Sequence, residues 1–119
     1  MERERKRERR KGDVMVEKEI AGKRVDFDDE GYMKDFHAWD EELARELARE
    51  EGIEELTEKH FRVIRFMRGE FEKNGTAPSI RKLTKGSGVP TKELYLLFPK
   101  GPAKKAARIG GMPKPKGCV

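Results

Sequence analysis

Residues 57–75, TEKHFRVIRFMRGEFEKNG, contain the strongest helix pattern of the chain. Apolar side chains recur at helical spacing and form one face, with Val63 and Phe66 beside it: Phe61, Ile64, Met67 or Arg68, and Phe71. Thr57 is a suitable N-cap, and Asn74-Gly75 is a suitable end, since glycine readily adopts the left-handed conformation that closes a helix. This stretch therefore predicts the central core helix of the fold.

Upstream of this helix the sequence favours a β-hairpin followed by a shorter helix. Residues 14–20 and 23–27 are β-prone runs that flank Ala21-Gly22, and glycine supplies the positive φ of a tight turn. The aromatic residues within 31–39 are interpreted as packing between hairpin and helix rather than as a ligand cage. Residues 40–51 then predict an amphipathic helix with Asp40 as its N-cap.

Downstream, prolines and glycines divide the chain into short helical pieces. We predict helices at 79–85, at 92–98 and at 103–109, with Pro102 at the first position of the last one. Gly110-Gly111 would end that helix. The pattern indicates a mostly α (α+β) fold that consists of a helical bundle, a small N-terminal β-hairpin and a flexible C-terminal arm.

Length and composition indicate one domain with a modest core, because 119 residues with 34% hydrophobic and 43% charged side chains cannot build two independent folds. We expect a disordered basic tail over 1–13, a folded domain over 14–109 and a mobile arm over 110–119. No apolar run approaches the roughly 20 residues that cross a bilayer. The N-terminus lacks the features of a secretory signal, so we expect a cytoplasmic protein.

The arm has the composition of a swinging segment. Gly110 and Gly111 would give it a loose joint, while Pro113 and Pro115 favour extended geometry over helix or sheet. An extended chain from Gly111 to Cys118 spans roughly 23–25 Å. That length is enough for a terminal thiol to enter a cleft on another protein.

Charge is segregated toward the two ends of the chain. Residues 1–11 hold seven basic and three acidic side chains, and residues 100–119 hold six basic side chains and no acidic one. Because the whole chain carries only +5, the body between them is acidic. Basic ends favour acidic partner surfaces or RNA phosphates. The candidate contacts for the arm and for partners are Lys100, Lys104, Arg108, Lys114 and Lys116.

Metal, cofactor and autonomous catalytic chemistry find little support in the sequence. One cysteine and two histidines, His37 and His60, lie at no ligand spacing, and no phosphate-binding glycine loop occurs. No nucleophile has a histidine base in a recognisable pattern. We therefore expect no metal and no cofactor.

Cys118, the only cysteine, is the candidate reactive group. Thiolates attack sulfane sulfur, and cationic neighbours stabilise a thiolate, so Lys114 and Lys116 favour reactivity while the terminal carboxylate opposes it. The alternative interpretation is an incidental exposed cysteine. A lone exposed thiol oxidises readily, which favours a functional role.

Two stretches of the C-terminal region, LFPKGP at 97–102 and IGGMPKPKGCV at 109–119, resemble the signature of the DsrC/TusE family of sulfur-carrier proteins. The resemblance extends to GTAPSIR at 75–81 and GYMKDFHAW at 31–39, and leaves the basic N-terminal tail unmatched. It implies an orthogonally packed helical domain with a mobile arm. It also implies that Cys118 carries sulfur as a persulfide, and that Arg81 faces the folded-back arm and stabilises the sulfur anion.

One departure from the family pattern separates its two branches. Members that act with dissimilatory sulfite reductase carry a second cysteine eleven places before the penultimate one, and this chain has Ala107 there. A single cysteine displays a terminal persulfide or bonds to a partner, but forms no internal trisulfide. Together with the compact segments 51–57 and 85–91, this resembles the TusE branch, in which sulfur comes from an upstream donor and passes to a tRNA 2-thiouridylase.

Two other functions remain open from the sequence. The first is a DsrC-like partner of a sulfite reductase complex in dissimilatory sulfur metabolism. The second is a nucleic-acid-binding module, in which the helices at 58–74, 79–85 and 92–98 form a helix-turn-helix-like trio. The leucine-rich composition of 92–98 favours core packing over base reading, so we place this alternative last.

Overall fold

The chain begins with an antiparallel sheet and continues with helices, in a computed structural model that describes residues 4–10 and 13–115, and side chains from residue 16 onward. The sheet contains β1 (Glu4–Arg10), β2 (Asp13–Ile20) and β3 (Lys23–Phe27). A 3₁₀ turn (Phe36–Ala38) leads into α1 (Glu41–Glu50), α2 (Glu58–Asn74), α3 (Ile80–Ser87), α4 (Thr91–Leu97) and α5 (Pro102–Ile109). The mostly α (α+β) class predicted from the sequence is confirmed.

The predicted hairpin is present as β2 and β3. These strands pair antiparallel, with Ile20 opposite Lys23 at the turn. Ala21 and Gly22 both have positive φ, at 53° and 77°, which matches the twist of a two-residue hairpin turn. Alternation along β3 buries Val25 and Phe27 against the helices.

At the N-terminus the structure differs from the expected disordered tail. Residues Glu4–Arg10 form strand β1, which pairs antiparallel with β2 and gives the sheet order β1-β2-β3. The register shifts between Glu8 and Arg10. Strand pairing is made by backbone hydrogen bonds. A free sheet edge can therefore pair with a low-complexity segment, even though that segment has few apolar side chains to bury. The rest of the segment, residues 1–3 and 11–12, lies outside the described residues.

The two longer helices begin and end where the sequence predicted. Thr57 and His60 form a capping box at the start of α2, and Gly75 closes that helix with a φ of 76°. Asp40 caps α1 by accepting a hydrogen bond from the Leu43 amide. In α2 the buried side chains include Phe61, Ile64 and Met67, which lie on the predicted apolar face.

Helix α5 is the hub of the helical layer. It contacts α1, α2, α3 and α4, whereas α2 packs mainly against α3 and α5. Ala103, Ala106 and Ala107 are buried along α5, and such small side chains allow neighbouring helices to approach closely. The predicted central helix α2 therefore shares the core with a short alanine-rich helix that carries the C-terminal segment.

His60 joins the start of α2 to the end of α4. Its Nδ1 accepts a hydrogen bond from the Thr57 amide at 2.9 Å, and its Nε2 donates to the Leu97 carbonyl at 2.9 Å. Burial lowers the pKa of His60, and the hydrogen bond to Leu97 partly opposes that shift. The side chain therefore serves as a neutral tether inside the fold.

Within the described residues, no helix has the length and apolarity needed to cross a membrane. Over the same residues, no group of three or more histidine, cysteine or carboxylate side chains is arranged to hold a metal ion.

Candidate functional site

The cysteine that the sequence analysis selected as the candidate reactive group lies outside the described residues. Two of the predicted site residues, Lys116 and Cys118, fall among residues 116–119, which lie outside the described residues. The description ends at Pro115. The site is therefore defined by the residues that hold the base of the arm and by the surface beside it.

The base of the arm is packed into the core rather than hinged at its glycines. Gly110 and Gly111 are buried, and Met112 is 0% exposed. The Gly110 amide donates to the Ala106 carbonyl at 2.8 Å, and the Met112 amide donates to the Ala107 carbonyl at 2.9 Å. This corrects the expected arm boundary at residue 110, because tertiary packing overrides the freedom of a Gly-Gly pair.

Two side chains from distant parts of the chain bind the last carbonyls of α5. The indole Nε1 of Trp39 donates to the Ile109 carbonyl at 2.8 Å. The Nη1 of Arg68 donates to the Gly110 carbonyl at 2.7 Å, and its Nη2 donates to the Phe36 carbonyl at 2.9 Å. We call these two side chains the arm anchor.

The guanidinium of Arg68 lies over two aromatic rings. Its central carbon is 3.8 Å from the ring centroid of Phe36 and 4.3 Å from that of Trp39. Burial lowers the pKa of Arg68, and the charge of Glu72 partly opposes that shift. Arginine remains charged under such burial, so the anchor is a cation at the C-terminal end of a helix dipole.

Gly111 is required by the same packing. Its φ is +73°, and a Cβ at this position would lie 2.7 Å from the Cβ of Trp39. Both the backbone conformation and the close approach of the tryptophan exclude a side chain. The glycine thus serves as a closely packed turn rather than as a loose joint.

After Met112 the chain returns to the surface. Pro113 and Lys114 are exposed, and the Lys114 Nζ donates to the Glu30 Oε1 at 3.0 Å. Pro115 is buried again. Lys114 therefore connects this segment to the turn that follows β3.

A basic cleft of about 190 Å³ lies beside this turn. It is lined by Glu30, Tyr32, Glu51, Lys100, Lys104, Lys105 and Arg108.

Ion pairs hold one wall of the basic cleft. The Nη1 of Arg108 pairs with Glu51, and its Nε donates to the Gly31 carbonyl at 3.2 Å. The Nζ of Lys105 lies 3.4 Å from the Glu51 carboxylate. A Cβ on Gly31 would lie 2.7 Å from the Arg108 guanidinium, so glycine at this turn makes room for the arginine. Arg108 is thus largely committed to the cleft wall.

Lys100 and Lys104 keep their charges available at the cleft. Lys100 is exposed and Lys104 is half-buried, and within residues 16–115 neither side chain forms a hydrogen bond or an ion pair. With Lys105, Arg108 and the two carboxylates of the lining, the cleft has a net positive charge. It is suited to bind an anionic group.

Arg81 does not join either of these features. It is exposed on α3, does not line the basic cleft, and forms no ion pair or hydrogen bond with any other side chain that the structure describes. Its expected role in stabilising a sulfur anion stays a prediction. Ala107, at the position of the second family cysteine, is 0% exposed and packs in the core.

Sequence reasoning missed the arm anchor, although two signals were present. Position 68 places an arginine beside the apolar face of α2, which is where a buried cation with a specific partner would stand. Trp39 was assigned to packing between hairpin and helix, and its indole instead caps α5. Neither signal identifies its partner, because the contacts join residues that are 42 and 70 positions apart.

The fold and site define the chain as a small α+β domain with a basic cleft and a C-terminal segment anchored in the core. The family described as "DsrC like protein" matches residues 19–119, and the chain belongs to that family.

Named relatives fall in two groups. The chain is 39% identical over 105 residues to the dissimilatory-type sulfite reductase subunit gamma of Nitratidesulfovibrio vulgaris, covering 88% of this chain and 100% of the relative. It is 44% identical over 108 residues to the sulfurtransferase TusE of Yersinia pseudotuberculosis, covering 85% and 99%. The crystal structure of the oxidized DsrC gamma subunit from Archaeoglobus fulgidus is similar, with a TM-score of 0.74, 43% identity and coverage of 87% and 99%.

Proposed function

We propose that this protein is a sulfur-relay carrier, in which Cys118 accepts sulfane sulfur as a persulfide and passes it to an acceptor enzyme. The observation that carries the proposal is the 44% identity to a protein named sulfurtransferase, over 99% of that protein's length. The single cysteine next to the C-terminus supports the assignment of the carrier group. The protein acts as a carrier between enzymes and not as an autonomous catalyst.

The chemistry requires no oxidant or cofactor. The Cys118 thiolate attacks the terminal sulfur of a donor persulfide, the donor's sulfur–sulfur bond breaks, and the donor leaves as a thiolate. The terminal sulfur of the new persulfide is then transferred to an acceptor, and the Cys118 thiolate is regenerated. A reduced thiol is needed at the start of each cycle, so we assign the protein to the reducing cytoplasm.

The test of this proposal is the intact mass of the protein after incubation with a sulfane donor, such as an organic trisulfide with a thiol. We expect the gain of one sulfur atom, reversed by reductant. A protein that gains no sulfur from any such donor contradicts the assignment.

We assign partner contacts to the basic surface beside the arm, which comprises Lys100, Lys104, Arg108, Lys114 and Lys116. Lys100 and Lys104 support this role because their charges have no described counterion. An acidic surface on the donor or the acceptor would meet them, and the tRNA that a thiouridylase holds would contact them only indirectly.

Removal of these charges is expected to weaken partner binding. We predict that Lys100→Ala/Lys104→Ala reduces capture of a partner as a mixed disulfide at Cys118 by about two- to tenfold at low salt, since each exposed charge contributes modestly. Lys73→Ala, an exposed lysine at the end of α2, is the matched control. Quantitative mass spectrometry of the captured protein across salt concentrations measures the effect. Equal capture by all three proteins would show that the cleft is not a partner contact.

A second candidate function is supported by the relative named as a sulfite reductase subunit, which the chain covers along its whole length. Ala107 favours the relay instead, because a buried alanine at that position allows no internal trisulfide with Cys118. The identity of the captured partner separates the two: a tRNA thiouridylase supports the relay, and a sulfite reductase supports the alternative. The relatives reported above are named for sulfur chemistry and none for nucleic-acid binding, which leaves that alternative without support.

A further inference from the structure

Helix α4 presents apolar side chains to solvent as well as to the core. Leu94 and the C-capping Phe98 are both 0% exposed, and they account for the core packing that the sequence predicted here. Tyr95 and Leu96 are instead 45% and 75% exposed. Among the side chains that the structure describes, these two are the only large apolar ones that are exposed. Core packing therefore explains only part of the leucine-rich pattern of α4.

A cation stands on the same side of the helix as these two side chains. Lys92 precedes Tyr95 by three residues and Leu96 by four, the two spacings that bring helical side chains next to each other. Lys92 is exposed, and over residues 16–115 its side chain forms no hydrogen bond or ion pair. We call Lys92, Tyr95 and Leu96 the α4 face.

The rest of the helix is fixed to its neighbours. His60 on α2 donates to the carbonyl of Leu97 at 2.9 Å. The hydroxyls of Thr84 on α3 and Thr91 at the start of α4 lie 2.9 Å apart and share a hydrogen bond. With Leu94 buried between them, these contacts hold both ends of α4. A partner therefore meets a preorganised α4 face, which lowers the entropic cost of binding.

The basic cleft begins directly after α4. Lys100 lines the cleft and is four residue steps from Leu96, so their Cα atoms lie at most about 13–14 Å apart. Glu93, the only acidic residue between positions 91 and 109, already pairs with Lys59. The charges of this segment that have no described ion pair are therefore all cationic: Lys92, Lys100 and Lys104.

This combination favours a protein partner over a nucleic acid. An exposed leucine gains most when it is buried against other apolar side chains, which a phosphate backbone does not offer. The lysines around it favour carboxylates on the partner, in the usual arrangement of an apolar interface centre with a polar rim. The surface thus matches an acidic protein segment that carries apolar side chains.

We propose that the α4 face, with Lys100 and Lys104 beside it, docks a protein partner that offers apolar side chains flanked by carboxylates. Tyr95 and Leu96 supply the apolar contact, and the three lysines orient the partner and speed its association. The proposal deepens the proposed function, on which it rests only for the partner's role as sulfur donor or acceptor.

A peptide of the expected chemistry tests this surface directly. The probe is a short helical peptide with two leucines one turn apart and glutamates beside them, added to the full-length protein labelled with ¹⁵N. We expect the backbone amide signals of residues 91–104 to shift most in the NMR spectra. The same peptide with lysine in place of glutamate and a single-stranded oligouridylate are the comparison probes. We expect neither to bind in a way that depends on Leu96.

Leu96→Gln separates docking from folding. It keeps a helix-forming side chain but removes the apolar contact, and we expect it to weaken binding of the acidic peptide about five- to tenfold. Because Leu96 is 75% exposed, the variant is expected to leave the thermal midpoint of unfolding unchanged. Lys92→Ala is expected to weaken binding about two- to threefold at low salt only. Lys73→Ala, at the exposed end of α2, is the matched control for charge.

Several outcomes would overturn the proposal. The acidic peptide might leave residues 91–104 unshifted, or Leu96→Gln could bind it as the native protein does or unfold at a clearly lower temperature. Oligouridylate binding that depends on Leu96 would mark a nucleic-acid surface instead. Shifts of the α4 face with protein concentration alone would mark a contact between two copies of this chain. Sulfur gain from a small donor does not involve this surface, so its absence would contradict the proposed function and leave the docking result intact.

Discussion

Replacement of Cys118 by alanine is expected to abolish sulfur gain completely. The chain has no other cysteine, so no second thiol can accept the sulfane sulfur. The expected result is one added sulfur atom on the native protein and none on Cys118→Ala, measured by intact mass after the same exposure to donor. The effect is all or none because the variant removes the attacking atom and not its environment.

A matched control places a thiol where the family resemblance would have a second one. In Cys118→Ala/Ala107→Cys the new side chain replaces a methyl group that is 0% exposed. We expect no sulfur gain in this variant, because a buried thiol neither ionises readily nor meets the donor. Loading at position 107 would show that this position is accessible in solution. Equal labelling of native protein and Cys118→Ala would refute the role of Cys118.

Local chemistry made most of the fold predictable. Asp40, Thr57 and Gly75 cap helices where the sequence indicated, and Ala21-Gly22 turns the hairpin. Each of these signals acts within a few residues of itself, through a side-chain cap or a backbone conformation that glycine favours. Such signals can therefore be predicted from one sequence without knowledge of tertiary contacts.

The parts that the sequence did not predict depend on contacts between distant residues. Strand β1 forms through backbone pairing with β2, which composition does not reveal. Gly110-Gly111 was expected to be a loose joint, because two glycines are flexible unless something packs on them. Trp39 and Arg68 supply that packing from distant positions in the chain.

At the candidate site, too, residues selected by local sequence features are brought together, whereas a residue selected by resemblance alone is not. Lys100 and Lys104 were selected by charge, and the structure brings both to one cleft together with Arg108. Arg81 was selected by family resemblance alone, and its exposed position on α3 gives it no described partner. Charge clustering along a short segment can thus be predicted from sequence, whereas a contact between residues far apart in the chain cannot.

Gly111→Ala is expected to be the most damaging change at the base of the arm. Alanine at a φ of +73° costs about 1–2 kcal/mol in backbone strain. Its Cβ would also lie 2.7 Å from the Trp39 side chain, and such overpacking adds about 1–3 kcal/mol because the tryptophan is held by its hydrogen bond to Ile109. Chemical denaturation monitored by circular dichroism measures the loss of unfolding free energy.

Gly75→Ala separates the two causes. Gly75 has nearly the same φ, +76°, but a Cβ there would meet nothing within 4 Å, so this variant reports backbone strain alone. The excess loss in Gly111→Ala over Gly75→Ala is then the steric cost of the anchored arm. Equal losses in the two variants would mean that Trp39 yields freely, and that the base of the arm is not fixed by packing. A larger loss in Gly111→Ala, with sulfur loading at Cys118 unchanged, would show that the anchor holds the arm without taking part in its chemistry.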